Sequence, residues 1–222
     1  MQVTQSSVGR KIIMAVTGAM LIAFICVHLL GNLSVFAGSA AINAYAQKLH
    51  SLGPVVWIFR LVMLGVFAIH IIFGIQLTIE NKAATPDKNV QIKRLKTGFA
   101  AETMVVSGLV LLAFVVYHLL HFTVRVTNPE IYVPIEGGHG MVDVFVMVTQ
   151  GFQQLFAVLL YVIGMGFLFL HVSHGFQSMF QTYGLSNDRT LPVMVNVSKL
   201  VGVVLLAGYA SIPLLIILGI VR

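Results

Sequence analysis

The stretch at 114–122 reads Phe114-Val115-Val116-Tyr117-His118-Leu119-Leu120-His121-Phe122, two histidines three residues apart inside an apolar run. A hydrocarbon interior penalises polar side chains, so an ionisable group within a membrane span marks a functional site. The surroundings decide whether this stretch lies in lipid. Of the 222 residues, 58% are hydrophobic and only 9% charged, against roughly 25% charged in an ordinary soluble domain. Mean hydropathy is +0.96. The chain reads as a polytopic membrane protein.

Apolar runs of the roughly 20 residues needed to cross a bilayer occur at about 12–37, 55–79, 99–124, 144–180 and 193–221. They make one transmembrane domain over residues 1–222. The first run is too long, and too closely followed by others, to read as a cleaved leader. Five spans place the termini on opposite sides, and basic residues orient them. With the N-terminus inside, the inner segments hold Arg10, Lys11, Lys82, Lys88, Lys93, Arg94, Lys96, Arg189 and Lys199. Lys48, Arg60, Arg125 and Arg222 lie outside, nine basic residues against four. The N-terminus is therefore expected in the cytoplasm, and the chain in the cell's inner (cytoplasmic) membrane. The +6 net charge is accounted for as topology signal, and no nucleic-acid partner is expected.

One cysteine, Cys26, excludes an intrachain disulfide, a cluster held by this chain alone and a C-x-x-C-H attachment site. Any haem is non-covalent.

Depth sorts the intramembrane histidines. His28 lies 17 residues beyond Lys11, roughly 26 Å at 1.5 Å per residue, in the outer half. His118 lies about 20 residues from the inner end of the third span, also outer. His70 comes ten residues before Glu80, and His171 and His174 come within about ten residues of Gln181, so these are inner. The fifth span carries no histidine and reads as a flanking helix. Two levels with histidines from two helices each match two bis-histidine b haems stacked across the membrane, one axial nitrogen from each side of each plane.

A register supports this pairing. Thr17-Gly18 precede His28, and Ser107-Gly108 precede His118, by the same spacing. Thr17 and Ser107 thus share the face of their histidine about 16 Å further inward, at the inner level, where small side chains leave room for a porphyrin. Gly74 follows His70 by four residues, as Gly175 follows His171. The register selects His28, His70, His118 and His171 as iron ligands. His121 and His174 are left as structural or propionate-side neighbours. Propionates call for cations, with Arg10, Lys11, Lys93, Arg94 and Lys96 available at the inner end and Arg125 at the outer. The outer connector at 38–53 offers Gln47, Lys48 and His50 as quinone-site candidates. The Gly137-Gly138-His139-Gly140 run follows no strand and is no dinucleotide loop.

With these residues in view, the chain resembles the cytochrome b membrane anchor of succinate:quinone oxidoreductases, the kind with five helices and two b haems in one chain. The likeness rests on Arg10-Lys11 with Thr17-Gly18 and His28-Leu29, on His70 with Gly74, on residues 114–118, and on His171-Val172-Ser173-His174-Gly175. It implies an all-α bundle in which four of five helices enclose the haems. His28 and His118 would then ligate the distal haem, and His70 and His171 the proximal one. It further implies a flavoprotein with the dicarboxylate site and an iron-sulfur subunit on the cytoplasmic face, and lipid around the bundle. A membrane quinone, menaquinone being the one expected, is the substrate, and no dicarboxylate site lies on this chain. Phe169 stands where some relatives have a glutamate, so the likeness does not extend to a proton path along this helix. The rival readings are the dihaem cytochrome b anchor of a hydrogenase or formate dehydrogenase, and a transporter with a histidine relay.

Overall fold

The computed structural model describes residues 4, 6–84, 98–135 and 141–222. Lys88, Lys93, Arg94, Lys96 and the 137–140 run lie outside the described residues. The helices are α1 (Ser7–Leu33), α2 (Ser39–Ser51), α3 (Pro54–Ala83), α4 (Phe99–Glu102), α5 (Met104–His118), α6 (Val144–Gly151), α7 (Leu155–Thr182) and α8 (Leu191–Ile217). Five segments are long and apolar enough to cross a membrane: Ser7–Ala37, Pro54–Ala83, Met104–Thr123, Leu155–Thr182 and Leu191–Ile217. The protein is an all-α, multi-pass membrane bundle. The end of the bundle that carries the start of α1 is called inner below.

Local chemistry places the helix starts. The Ser6 hydroxyl accepts the Gly9 N–H at 3.0 Å and caps α1. Pro54 opens α3, where a missing N–H costs nothing, after Gly53 turns the chain at φ 53°. Two boundaries differ from the sequence reading. The third span starts with the short α4, which breaks at Thr103 before α5 begins. The 144–180 run is two helices, α6 and α7, parted at residues 152–154. Gln153 and Gln154 are exposed at that break, so the chain bends where its polar side chains leave the core.

Laterally, α3 packs on α1, α1 on α7, and α7 on α5, while α8 lies along α7 and also touches α1. Helices α3 and α5, at the two ends of that row, have at most marginal contact. Without a hydrophobic drive between helices in lipid, close approach of small residues holds such a bundle. A Cβ at Gly202 of α8 would stand 2.8 Å from Ser173 Oγ and 2.9 Å from the Phe169 ring, both on α7. Phe169 is thereby turned toward α8. The Tyr209 hydroxyl donates to the Ile25 carbonyl at 2.6 Å and ties α8 to α1.

The outer end is capped by α2 docked on α6. Asn43 Oδ1 accepts the N–H groups of Val144 and Phe145 at 2.9 and 3.2 Å, and its amide donates to Asp143 Oδ1 at 2.9 Å. Asp143 caps its own helix by accepting the Val146 N–H at 2.9 Å. The otherwise orphaned donors of the α6 start are thus satisfied by a second helix. Beneath this cap lies an apolar core that includes Val35, Ile42, Ile131, Met147 and Phe152. At the inner end Arg10 and Glu80 form an ion pair at 2.8 Å that joins α1 to α3.

Candidate functional site

The four selected histidines come together as two pairs. His28 of α1 and His118 of α5 stand with ring centroids 6.0 Å apart, inclined at 79°. His70 of α3 and His171 of α7 stand 6.3 Å apart, inclined at 66°. Each pair joins helices two apart in the row α3, α1, α7, α5, so the contacts run across the interior rather than between neighbours. Thr17 lies eleven residues before His28 on α1 and meets the inner pair, so the two levels are separated by roughly 16 Å along the helix.

The inner level is held symmetrically. Thr17 Oγ1 lies 3.1 Å from His70 Nδ1, and Ser107 Oγ lies 3.2 Å from His171 Nδ1. Each hydroxyl has one proton. Thr17 gives its proton to the Ile13 carbonyl at 2.8 Å, and Ser107 to the Met104 carbonyl at 3.0 Å. With the hydroxyl protons on those carbonyls, the tautomer that completes both contacts is the one with the hydrogen on Nδ1, which would leave the Nε2 lone pair for a ligand. Both hydroxyls are buried, at 6% and 0% exposure, while all four histidines keep accessible surface. The rings rest on glycine: a Cβ at Gly18 or Gly108 would lie 3.4 Å from Cε1 of His70 or His171. Gly74 and Gly175 face the Met14 and Met104 methyls at 3.6 and 3.5 Å from a built Cβ, so these positions take methionine contact.

These matches form a repeat. Met14, Thr17, Gly18, Phe24 and His28 recur ninety residues later as Met104, Ser107, Gly108, Phe114 and His118. Phe24 stacks on His28 at 5.4 Å, and Phe114 on His118 at 6.0 Å. The sequence reading did not single out these two phenylalanines, although their position four residues before each outer histidine was there to be seen.

The outer level is not symmetric. His118 Nδ1 lies 3.1 Å from the Tyr161 hydroxyl, which also lies 3.2 Å from His121 Nδ1. Across the pair, the Asn32 amide nitrogen donates to the His28 carbonyl at 2.7 Å and sits 3.3 and 3.4 Å from the two ring nitrogens. An amide N–H₂ cannot accept a hydrogen, so His28 gains no acceptor for an Nδ1–H from it. Asn32 follows His28 by four residues, as Gly74 follows His70, but nothing in the sequence showed that it or Tyr161 would meet these ring nitrogens. His121 sits in the π turn at Leu119–Thr123, where one extra residue per turn is a device frequent at functional sites. It is fully buried, its carbonyl accepts from the Tyr132 hydroxyl, and its Nε2 has no partner among the described residues. His174 is half-buried one turn along from His171.

The remaining predicted residues are less drawn in. Arg10 is held by Glu80 at 2.8 Å and by the Thr4 carbonyl at 2.9 Å, leaving only its buried Nε without a partner. Lys11 is exposed. Gln47, Lys48 and His50 are exposed on α2 and are not gathered into the bundle. Arg125 is half-buried, adopts φ 64° and keeps a buried Nε without a partner. That backbone region costs a non-glycine residue on the order of 1–3 kcal/mol.

The donor set limits the chemistry. Among the described residues no three potential ligands converge, which falls short of a tetrahedral zinc site. A metal-bound imidazole nitrogen sits about 2 Å from the ion and the ring centre roughly 1.2 Å beyond, so two imidazoles on opposite sides stand roughly 6.4 Å apart, centre to centre. Both pairs have that separation within a few tenths of an ångström. Two imidazoles at that separation would be able to hold one metal ion between them, a cofactor supplying its other ligands.

No family model, curated protein or solved structure matches the chain. The functional reading therefore rests on the site.

Proposed function

We propose that the protein is a dihaem membrane cytochrome b, with His28 and His118 holding an outer b haem and His70 and His171 an inner one. The observation that carries this reading is the pair of cross-bundle histidine contacts, at 6.0 and 6.3 Å, at two depths of one bundle. The groups around them fit the same cofactor. Thr17 and Ser107 fix the inner rings in the tautomer that frees Nε2, and second-shell partners of this kind orient and tune metal-bound histidine. Phe24 and Phe114 stack on the outer rings and restrict their rotation. The buried, unpartnered Nε atoms of Arg125 and Arg10 are donors for propionates at the outer and inner ends. Haem supplies, when bound, a reversible one-electron carrier; the chain's own residues hold it, orient it and keep water from it.

The wider role follows from the likeness noted above. The protein is the anchor of a succinate:quinone oxidoreductase, with its N-terminus on the cytoplasmic side of the inner membrane. A flavoprotein and an iron-sulfur subunit dock on that face, and electrons pass between the cluster subunit and membrane quinone. The inner-end ion pair of Arg10 and Glu80 stiffens the face such a subunit would meet.

A pyridine haemochrome assay on the purified protein tests the cofactor. Two b haems per chain are expected, and none would overturn the proposal. His118→Ala should halve the haem content and leave the inner spectrum. Purification of the tagged complex tests the partners: flavin and iron-sulfur subunits support this anchor, whereas a molybdenum or nickel subunit redirects it to the rival dihaem anchors.

A further inference from the structure

Resting on the dihaem reading, we infer that Tyr161 and His121 form a directional relay that positions His118 and sets the redox potential of the outer level. The Tyr161 hydroxyl lies 3.1 Å from His118 Nδ1 and 3.2 Å from His121 Nδ1, and it has a single proton to place. If His118 ligates through Nε2, its Nδ1 must carry the hydrogen and donate to the tyrosine oxygen. Tyr161 then has one use for its own proton, donation to His121 Nδ1. That leaves the hydrogen of His121 on Nε2, the atom that is buried with no partner. The chain runs one way, from His118 through Tyr161 to His121, and ligation at one end dictates the tautomer at the other.

The geometry is built rather than incidental. The Tyr161 ring, 8% exposed, is wedged edge-on against Phe114 at 5.1 Å and Phe152 at 4.8 Å, so packing sets the hydroxyl position. The π turn brings the next histidine of the same helix, His121, to the same oxygen. An unpaired buried donor costs about 1–3 kcal/mol, and at His121 Nε2 this cost is tolerated. A hydroxyl that donates onward is a better acceptor, because chained hydrogen bonds polarise one another. His121 therefore strengthens the pull of Tyr161 on the His118 proton. That pull gives the imidazole more anionic character, which favours the ferric state. Among the described residues His28 has no equivalent acceptor, so the outer level is tuned from one side.

The test is redox titration of the purified protein, with the ferric low-spin EPR signals read in parallel. Tyr161→Phe should keep two haems, raise the outer midpoint and alter the outer signal, with the inner level unchanged. Each tenfold change in relative hold on the two oxidation states moves a one-electron midpoint by about 59 mV, and a change of up to about tenfold is expected. His121→Leu should move the outer midpoint the same way by less, and His121→Asn, which restores an acceptor, should bring it back. Two haems with unchanged potentials and signals in Tyr161→Phe would overturn the relay and leave the dihaem reading standing. If Tyr161→Phe cannot be isolated with haem, the His121 pair decides, and equal behaviour of Leu and Asn overturns it. Wild-type protein without haem removes the reading beneath both.

Discussion

The two histidine levels solve one problem differently. At the inner level, two helices each bring a hydroxyl, from Thr17 or Ser107, to the Nδ1 of the histidine on their neighbour. At the outer level one ring, His118, leans on a packed tyrosine and a second histidine, while its partner His28 has the Asn32 amide as its side-chain polar contact among the described residues. The inner support is short, local and repeated, and the outer support is long and belongs to one side. On the dihaem proposal, this unequal hydrogen bonding to like ligands would give the two levels different potentials.

Substitutions can break this contrast selectively. The largest effect is expected from Gly164→Ala, because the added methyl would stand 2.7 Å from Cδ2 and 2.8 Å from Cγ of Phe114, atoms at the ring's stem with no room to retreat. Overpacking of this kind costs about 1–3 kcal/mol. Phe114 stacks on His118, so thermal unfolding followed at the haem bands should show a lower midpoint and a disturbed outer signal, with the inner one intact.

Ser107→Ala and Thr17→Val come next. Each removes the hydroxyl contact of an inner histidine and leaves the backbone of Met14 or Met104 as the remaining partner, so the loss is that of one hydrogen bond, about 1 kcal/mol. Redox titration should show the inner midpoint raised in both variants and the outer one unmoved. Thr17→Ser and Ser107→Thr should restore it. Unequal effects of the two removals would show that the inner symmetry is only geometric.

The smallest change is expected from Gly18→Ala and Gly108→Ala. Their new methyls would meet the His70 and His171 rings at 3.4 Å, close to ordinary contact. Absorption spectra should show small and matching shifts of the inner level alone.

Much of the inner level could be read from the chain alone. Helical rise converts residue number into depth, and the 3.6-residue repeat converts spacing into a shared face. For that reason Thr17, Ser107 and the histidine pairs stand out without coordinates. Their hydroxyl chemistry was less visible: the spacing suggested small side chains making room, and the structure shows them bonding the ring nitrogens of a neighbouring helix. Tyr161 stands ten residues before His171 on α7, the spacing of Gly18 to His28, yet its partner is His118 of another helix, met only because α7 packs against α5. The docking of α2 on α6 through Asn43 was hidden for the same reason, whereas Gln150, Gln153 and Gln154 in a run too long for one crossing already pointed to the irregularity at 152–154.

The sequence by itself thus determined the number of spans, the depth of each histidine and the register that pairs them, because hydrophobicity and helical periodicity act along one chain. Tertiary structure alone decided which helices are neighbours. With α7 between α1 and α5, His118 has Tyr161 at its back, and the two histidines of the opening stretch, His118 and His121, meet through that single hydroxyl.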